Sequence, residues 1–156
     1  MLEPIEIVKQ LQEMRESGYL SDAILREAVK AIKAADPRYD WVGAYLLNPD
    51  EQVLWLHNYL GESAEQARIA VGEGVCGRAV AEKKNQNVSD VTEIEDYVAC
   101  GPDAAAELVV LIRAGDEVLG ELNLDSHRKG AFTAADEEAV ATIADKLAEV
   151  LMAERR

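Results

Sequence analysis

Two cysteines and two carboxylates are the residues of this chain most able to do chemistry together. Cys100 precedes Gly-Pro-Asp, a turn signal, in "DYVACGPDAAAE", and Glu107 follows seven residues later, where a strand should begin. Asp125 is expected at the end of the next strand, so an antiparallel hairpin would bring both carboxylates to one end of a sheet. A thiol beside paired carboxylates could hold an ammonium group or deliver a proton to a leaving oxygen.

The second thiol, Cys76, is expected at the start of a short helix in "VCGRAVAEKK". Helix N–H groups at that position would favour its thiolate, and Cys100, in a loop, would be reachable by a ligand. Both cysteines could instead be small core residues, and both carboxylates could be solvated strand ends. The chain has no CxxC pair and no His/Cys cluster with metal spacing, so neither a metal nor a cofactor is expected.

An aromatic pair on one strand could complete such a site. Trp41 and Tyr45 are four positions apart in "WVGAYLL", so their side chains should project from the same face of a strand. Two aromatic rings on a sheet face could surround a methyl or sulfur group. They could equally belong to an ordinary core.

Hydrophobic periodicity and turn signals predict the elements that position these residues. Two helices are expected in "EPIEIVKQLQEMRES" and "SDAILREAVKAIKAADP", the second with Ser21 as N-cap and Pro37 as its stop. A long final helix should begin after Thr133. Strands are expected at "WVGAYLL", "VLWLHNYL", "RIAV", "ELVVLIR" and "EVLGELNLD".

These elements predict an α+β protein with a mainly antiparallel sheet of about six strands, flanked by N-terminal and C-terminal helices. We expect one domain over residues 1–156, with the first helices in 1–36 and the core and final helix in 39–156. A loop from about Asn85 to Ala105 contains Cys100. Structureless loops of that length are uncommon and often functional.

Composition limits the partners. The chain has 156 residues, a net charge of −14 and a pI of about 4.5, so its field repels nucleic acid and anionic membrane surfaces. Its N-terminus lacks the basic start and apolar run of a signal peptide. Two cysteines do not make a disulfide framework, and a reducing cytoplasm is therefore the expected location.

Six segments stand in an order and spacing that can be compared with known families: "DWVGAYLL", "VGEGVCGRAVAEKK", "VSDV", "YVACGPDAAAELVV", "VLGELNLDS" and "FTAADE". Together they resemble a GAF domain, and more narrowly the stand-alone GAF enzymes called free methionine-R-sulfoxide reductases. The resemblance implies a GAF fold and the reduction of free methionine-R-sulfoxide to methionine by a cysteine that becomes a sulfenic acid.

The resemblance also implies a role for each candidate residue. Cys100 matches the nucleophile that attacks the sulfoxide sulfur. Glu107 and Asp125 match carboxylates that bind the substrate and polarise its S–O bond, and Trp41 and Tyr45 match aromatic residues around the substrate methyl group. We expect one cavity against the sheet, with Cys100 at its edge, lined by Trp41, Tyr45, Glu107, Asn123 and Asp125.

Two positions depart from the family pattern. Gln66 stands where many members have a recycling cysteine, and Asn123 replaces the first acid of an Asp-x-Asp pair. Asn123 remains a candidate substrate-binding residue, but an amide cannot donate a proton as an acid. Cys76 is then the one internal thiol that could resolve Cys100, with thioredoxin or another thiol reductant restoring the dithiol. A one-cysteine cycle with an outside reductant is the alternative.

Other classes of function stay open. A non-catalytic GAF domain could bind a small molecule in a sensory or regulatory role, and Gln66 and Asn123 favour that alternative. A structural dimerisation module would use the long terminal helices but leaves Trp41, Cys100 and Glu107 without a role. Because those helices carry apolar stripes that a small sheet covers only in part, we expect a homodimer.

Overall fold

The computed structural model describes residues 2–155, which form four α-helices and six β-strands. The helices are α1 (Pro4–Glu16), α2 (Ser21–Ala35), α3 (Gly74–Glu82) and α4 (Ala134–Glu154). The strands are β1 (Trp41–Asn48), β2 (Val53–Leu60), β3 (Arg68–Ala70), β4 (Gln86–Val88), β5 (Ala106–Ala114) and β6 (Glu117–Ser126). None of these four helices is long and apolar enough to cross a membrane.

The six strands form one sheet in the order β3-β2-β1-β6-β5-β4, and neighbouring strands run antiparallel. The long strands β1, β6 and β5 occupy its middle. The predicted α+β class, the antiparallel sheet and the flanking N-terminal and C-terminal helices are confirmed.

The two faces of the sheet support different layers, because successive residues of a strand point to opposite sides. One face, which includes Leu108 and Leu122, packs against α1, α2 and α4 and forms the main hydrophobic core. The other face presents Trp41 and Tyr45 to Cys76 of α3 and to the chain around Cys100. The residues with candidate chemistry therefore belong to the second, smaller layer.

The ends of α2 show one correct and one wrong prediction. The helix ends at Ala35, shortly before Pro37, as expected. Ser21 is not the N-cap, because Leu20 occupies that position and Ser21 is the first helical residue. The Ser21 backbone N–H donates to the Glu154 carboxylate of α4 at 3.2 Å. A carboxylate from a neighbouring helix thus replaces the local side-chain cap.

The final helix begins as predicted. Thr133 is its N-cap and forms a reciprocal capping box with Asp136. Asp136 also accepts hydrogen bonds from Arg38 and from the Tyr39 hydroxyl. This network fixes the start of α4 against the entry to β1.

The predicted loop from Asn85 to Ala105 is partly wrong. Residues Gln86–Val88 form β4, which pairs with β5, and Val91–Glu93 form a 3₁₀ turn in which Asp90 accepts from the Thr92 N–H. Both elements are three residues long, too short to show a periodic pattern. The longest stretch without regular structure is residues 94–105, which we call the cover segment and which cross the second layer.

Candidate active site

The predicted neighbours Glu107 and Asp125 lie in a cross-strand row at one end of the sheet, that is, in a line of residues side by side on adjacent strands. Register places Trp41 of β1 beside Asp125 of β6, and Asp125 beside Glu107 of β5. Two residues further along β6, Asn123 lies beside Gly43 in the next row. The hairpin thus brings Glu107 and Asp125 together as neighbours on the second layer's face.

The two thiols lie over these rows and contact each other. Cys76 Sγ of α3 is 3.5 Å from Cys100 Sγ of the cover segment. The Asn123 amide nitrogen lies 2.7 Å from Cys76 Sγ, 3.1 Å from Cys100 Sγ and 3.0 Å from Glu107 Oε2. Cys76 also donates to Glu107 Oε2 at 3.3 Å. A single amide therefore bridges both sulfurs and one carboxyl group.

Glycines allow the cover segment to approach the helix and the aromatic wall. Gly74, the first residue of α3, has φ +63°, and a Cβ there would lie 2.8 Å from Val98 of the cover segment. A Cβ on Gly101 would lie 2.7 Å from the Trp41 ring. The same ring packs over Gly43, where a Cβ would lie only 2.4 Å from it. Larger residues at these positions would separate the cover segment from the sheet.

Backbone hydrogen bonds hold the cover segment down. The Gly101 N–H donates to Asp125 Oδ2 at 3.1 Å, and the Cys100 carbonyl accepts from the Glu65 N–H at 2.8 Å. Nearby, the Tyr45 hydroxyl donates to the Gln66 backbone carbonyl at 2.7 Å. Gln66 thus contributes a carbonyl, not a thiol, to this side of the site.

Burial corrects the expectation that Cys100 is accessible. Although it lies in a loop, its exposed fraction is 0%. Each predicted site residue is 2% exposed or less: Trp41, Tyr45, Cys76, Cys100, Glu107, Asn123 and Asp125. A surface cavity of about 230 Å³ reaches Trp41 and is lined by Asp40, Trp41, Gly61, Glu62, Pro102 and His127. The other predicted site residues therefore lie together behind Trp41. A ligand must displace part of the cover segment to reach them.

Burial also shifts the carboxyl groups toward their protonated forms. It raises the pKa of Glu107 to about 7, with the charge of Glu121 contributing, against hydrogen bonds from Cys76 and Asn123. Burial raises the pKa of Asp125 well above its usual range, and the nearby Glu107 raises it further. The site therefore holds protons on carboxyl groups near neutral pH.

The thiols are neutral in this closed arrangement, which corrects the expected activation of Cys76 by its helix. Burial raises the pKa of Cys76 well above its usual value, and Cys100, Glu121 and Glu107 add to the shift. A hydrogen bond from Cys76 lowers the pKa of Cys100, but burial and the charges of Glu107 and Asp125 outweigh it. Burial, with a smaller contribution from the neighbouring thiol and acids, thus outweighs the effect of the helix N-terminus on Cys76.

Two residues of the site were missed from the sequence. Glu121 follows the same alternation as Asn123 and Asp125 in "GELNLDS", and it is fully buried on the same face. The alternation was the available signal. Tyr97 of the cover segment also places its hydroxyl in the site, and its irregular surroundings carry no sequence signal for that position.

Unpaired polar atoms surround the thiol pair. Among residues 2–155, seven buried side-chain atoms lack a hydrogen-bond partner: Trp41 Nε1, Tyr97 OH, Glu107 Oε1, both oxygens of Glu121, Asn123 Oδ1 and Asp125 Oδ1. Buried polar groups are nearly always paired, so seven unpaired atoms in one place favour a site for a polar partner. No basic side chain in this part of the chain pairs with the three carboxyl groups. A ligand that carries a cation would supply the missing charge.

The same donor atoms raise the question of a metal. Ligand atoms of Cys76, Cys100 and Glu107 lie within 4.8 Å of one another, a grouping that residues 24 and 31 positions apart did not reveal in the sequence. The Asn123 nitrogen, however, caps all three with N–H groups at 2.7–3.1 Å. The site as folded is thus a hydrogen-bonded one.

Comparisons with known proteins identify the family to which this fold belongs. The GAF domain family profile matches residues 20–152. The chain is 36% identical over 112 residues to the free methionine-R-sulfoxide reductase of Escherichia coli strain K12, covering 72% of this chain and 66% of that protein. The type II free methionine-R-sulfoxide reductase from Thermoplasma acidophilum superposes with a TM-score of 0.79 at 34% identity, covering 85% of this chain and 93% of that one. The Neisseria meningitidis enzyme in complex with its substrate gives a TM-score of 0.87 at 28% identity, with coverage of 97% and 90%. The chain therefore belongs to the GAF domain family and is related to its free methionine-R-sulfoxide reductases.

Proposed function

We propose that this protein reduces free methionine-R-sulfoxide to methionine, with Cys100 as the nucleophile. The observation that carries the proposal is a pair of buried thiols 3.5 Å apart, surrounded by carboxyl oxygens that lack partners. The family relationship supports the choice of substrate. The acidic cluster supports a small, cationic ligand.

Binding supplies the charge that the cluster lacks. The ammonium group of a free amino acid would pair with the carboxyl groups of Glu107 and Asp125, and an opposite charge nearby favours their ionised forms. Trp41, at the cavity side of this row, would contact the substrate methyl group, with Tyr45 on the same face. Asn123 offers its unpaired Oδ1 to a donor on the substrate.

The first chemical step transfers oxygen to Cys100. The Cys100 sulfur attacks the sulfoxide sulfur and forms an S–S bond. The oxygen then moves from the substrate sulfur to the Cys100 sulfur as the substrate S–O bond and the new S–S bond break, so that methionine leaves and Cys100 becomes a sulfenic acid. A protonated carboxyl group donates to the sulfoxide oxygen, and the Cys100 thiol proton replaces it, so that no net proton is consumed. Glu107 suits this role, because its pKa of about 7 lets it hold and release a proton near neutral pH.

The second step regenerates the site through Cys76. The Cys76 sulfur attacks the sulfenic acid, an S–S bond forms, the S–O bond breaks, and water leaves. The sulfurs must approach from 3.5 Å to about 2 Å, a small movement for a sulfur carried by the cover segment. A dithiol such as thioredoxin then reduces the disulfide.

The alternative function is a non-catalytic domain that binds a small molecule. Asn123 favours this alternative, because it stands where the family pattern has an acid, and its amide N–H groups donate to both sulfurs. That alternative keeps the binding of a cationic ligand and loses the oxygen transfer. Product formation separates the two.

The test is product formation by matched cysteine variants. Purified protein is incubated with free methionine-R-sulfoxide or the S isomer and dithiothreitol, and methionine is quantified. Wild type and Cys76→Ser should form methionine from the R isomer, because dithiothreitol can reduce the sulfenic acid directly, whereas Cys100→Ser should form none. An active Cys100→Ser protein would overturn the assignment, and an inactive wild type that still binds the sulfoxide would favour the non-catalytic alternative.

We also propose that the chain forms a homodimer through its helical layer. Tyr19 and Leu20, between α1 and α2 and beside the end of α4, are exposed apolar residues with exposed fractions of 55% and 66%. Such a cluster gives an apolar surface for a second copy. It lies on the side of the sheet opposite the thiols.

A further inference from the structure

Glu121, in the middle of β6, is a fully buried carboxyl group without a hydrogen-bond partner among the described residues. It lies in a third row, between Tyr45 of β1 and Leu111 of β5, on the face that carries the thiols. Its exposed fraction is 0%, and neither carboxyl oxygen has a hydrogen-bond partner among residues 2–155. A buried, unpaired carboxyl group costs stability, and an aliphatic residue would fit an otherwise apolar row. The position therefore calls for a chemical explanation.

The row order separates Glu121 from the acids at the mouth of the site. Rows two residues apart are about 7 Å apart, so Glu121 lies inside the Asn123 row, and Asp125 lies outside it. The surface cavity reaches the Asp125 row through Trp41. The ammonium group of an entering substrate thus meets Asp125 and Glu107 first, and Glu121 is the deepest acid.

The thiol that Glu121 influences is Cys76. Glu121 lies one row from Asn123, whose amide nitrogen is 2.7 Å from Cys76 Sγ. Cys76 also opposes the rise that burial causes in the pKa of Glu121. Because burial keeps Glu121 protonated, its O–H is a free donor beside this sulfur.

We propose that Glu121 is a catalytic residue of the resolving step, in which its protonated carboxyl group donates a hydrogen bond to the Cys76 sulfur as that sulfur becomes a thiolate. This role rests on the proposed function of the thiol pair. The protonated Glu107 carboxyl group donates its proton to the departing oxygen of the Cys100 sulfenic acid, and the Cys76 thiol, 3.3 Å from Glu107 Oε2, replaces that proton. The Cys76 sulfur attacks Cys100, the S–S bond forms, the S–O bond breaks, and water leaves. The acid that the Asp-x-Asp pattern lacks at Asn123 is thus present two residues earlier on the same face.

The test separates the two half-reactions in Glu121→Leu and Glu121→Gln. Protein reduced and freed of reductant is given one equivalent of methionine-R-sulfoxide, and methionine release and disulfide formation are followed separately by mass spectrometry, with dimedone as a trap for sulfenic acid. Once methionine has been released, Glu121→Leu should close the Cys76–Cys100 disulfide about tenfold more slowly than wild type, or worse, the effect of losing a hydrogen bond to a charged group. Dimedone should then label Cys100. Glu121→Gln keeps a neutral N–H donor of the same length and should stay within about threefold of wild type.

Three controls separate a failure of the proposed role of Glu121 from unfolding of a variant and from a failure of the proposed function. Glu117→Gln, an exposed position on the same strand, should change neither rate, and thermal melting shows whether each variant is folded. Hydrogen peroxide, which oxidises a thiol to a sulfenic acid with release of water, replaces the sulfoxide in a second arm. Wild type that closes the disulfide only with peroxide would refute the proposed function and still test Glu121. Disulfide closure at the wild-type rate in Glu121→Leu, or equal slowing in both Glu121 variants, would overturn the role of Glu121 as a neutral donor.

Discussion

Replacing Glu107 by glutamine tests the electrostatics of the buried cluster. The pKa of Glu107 rises from 4.5 to about 7, mainly through burial. The folded state therefore holds a proton that the unfolded state has already lost, and stability is present below pH 4.5 and falls as the pH rises to about 7. At about 1.4 kcal/mol per pKa unit, the loss is about 3 kcal/mol. Glu107→Gln cannot ionise and should not show it.

The assay is urea unfolding of reduced protein at several pH values between 4.5 and 8. The free energy of unfolding of Glu107→Gln minus that of wild type should rise by about 3 kcal/mol across this range, most of it below pH 7. Glu82→Gln, an exposed residue at the end of α3, is the matched control and should follow the wild-type curve.

A difference between Glu107→Gln and wild type that stays constant with pH would refute the reasoning. It would mean that Glu107 ionises equally easily in the folded and unfolded states, so that water reaches the cluster. Glu107 would then be no proton donor near neutral pH, and the first chemical step would need another acid.

Three further measurements test the packing of the site, the cap of α4 and the assembly of the chain. Gly101→Val adds a side chain where even a Cβ lies 2.7 Å from the Trp41 ring, so it should lift the cover segment and speed alkylation of Cys100 several-fold; an unchanged rate would contradict the packing. Thr133→Ala removes the cap of α4 and should lower the free energy of unfolding by about 1 kcal/mol in urea titrations, whereas no loss would mean that the cap is redundant. Light scattering at micromolar concentration should give twice 17.1 kDa for the proposed homodimer, and a monomer mass would exclude it.

The parts of the fold that the sequence predicted are those with long periodic patterns. The helices and the central strands show clear spacing, and a short turn between two strands fixes their register. For that reason the pairing of Glu107 with Asp125 could be inferred from position alone. The cap of α4 follows from Thr133 and the acid three residues later.

The parts that escaped prediction depend on contacts between distant residues. Cys100 is buried because the cover segment bonds to Glu65 and Asp125, and nothing local to the loop indicates this. Ser21 needs no cap of its own because Glu154, 133 positions away, accepts its N–H. Glu121 was within reach, since the alternation that placed Asn123 also places Glu121 on the same face, but its position inside a strand resembled that of an ordinary polar residue.

The most direct test of the central claim is one turnover without reductant, followed by peptide mapping. Reduced protein and an excess of free methionine-R-sulfoxide should yield one methionine per chain and a disulfide between Cys76 and Cys100. The S isomer should yield none. A dimedone adduct on Cys100 with Cys76 still a thiol would keep Cys100 as nucleophile and replace the disulfide by a one-cysteine cycle. Absence of methionine, or methionine formed while both cysteines remain free thiols, would contradict the assignment of Cys100 as the nucleophile of a sulfoxide reductase.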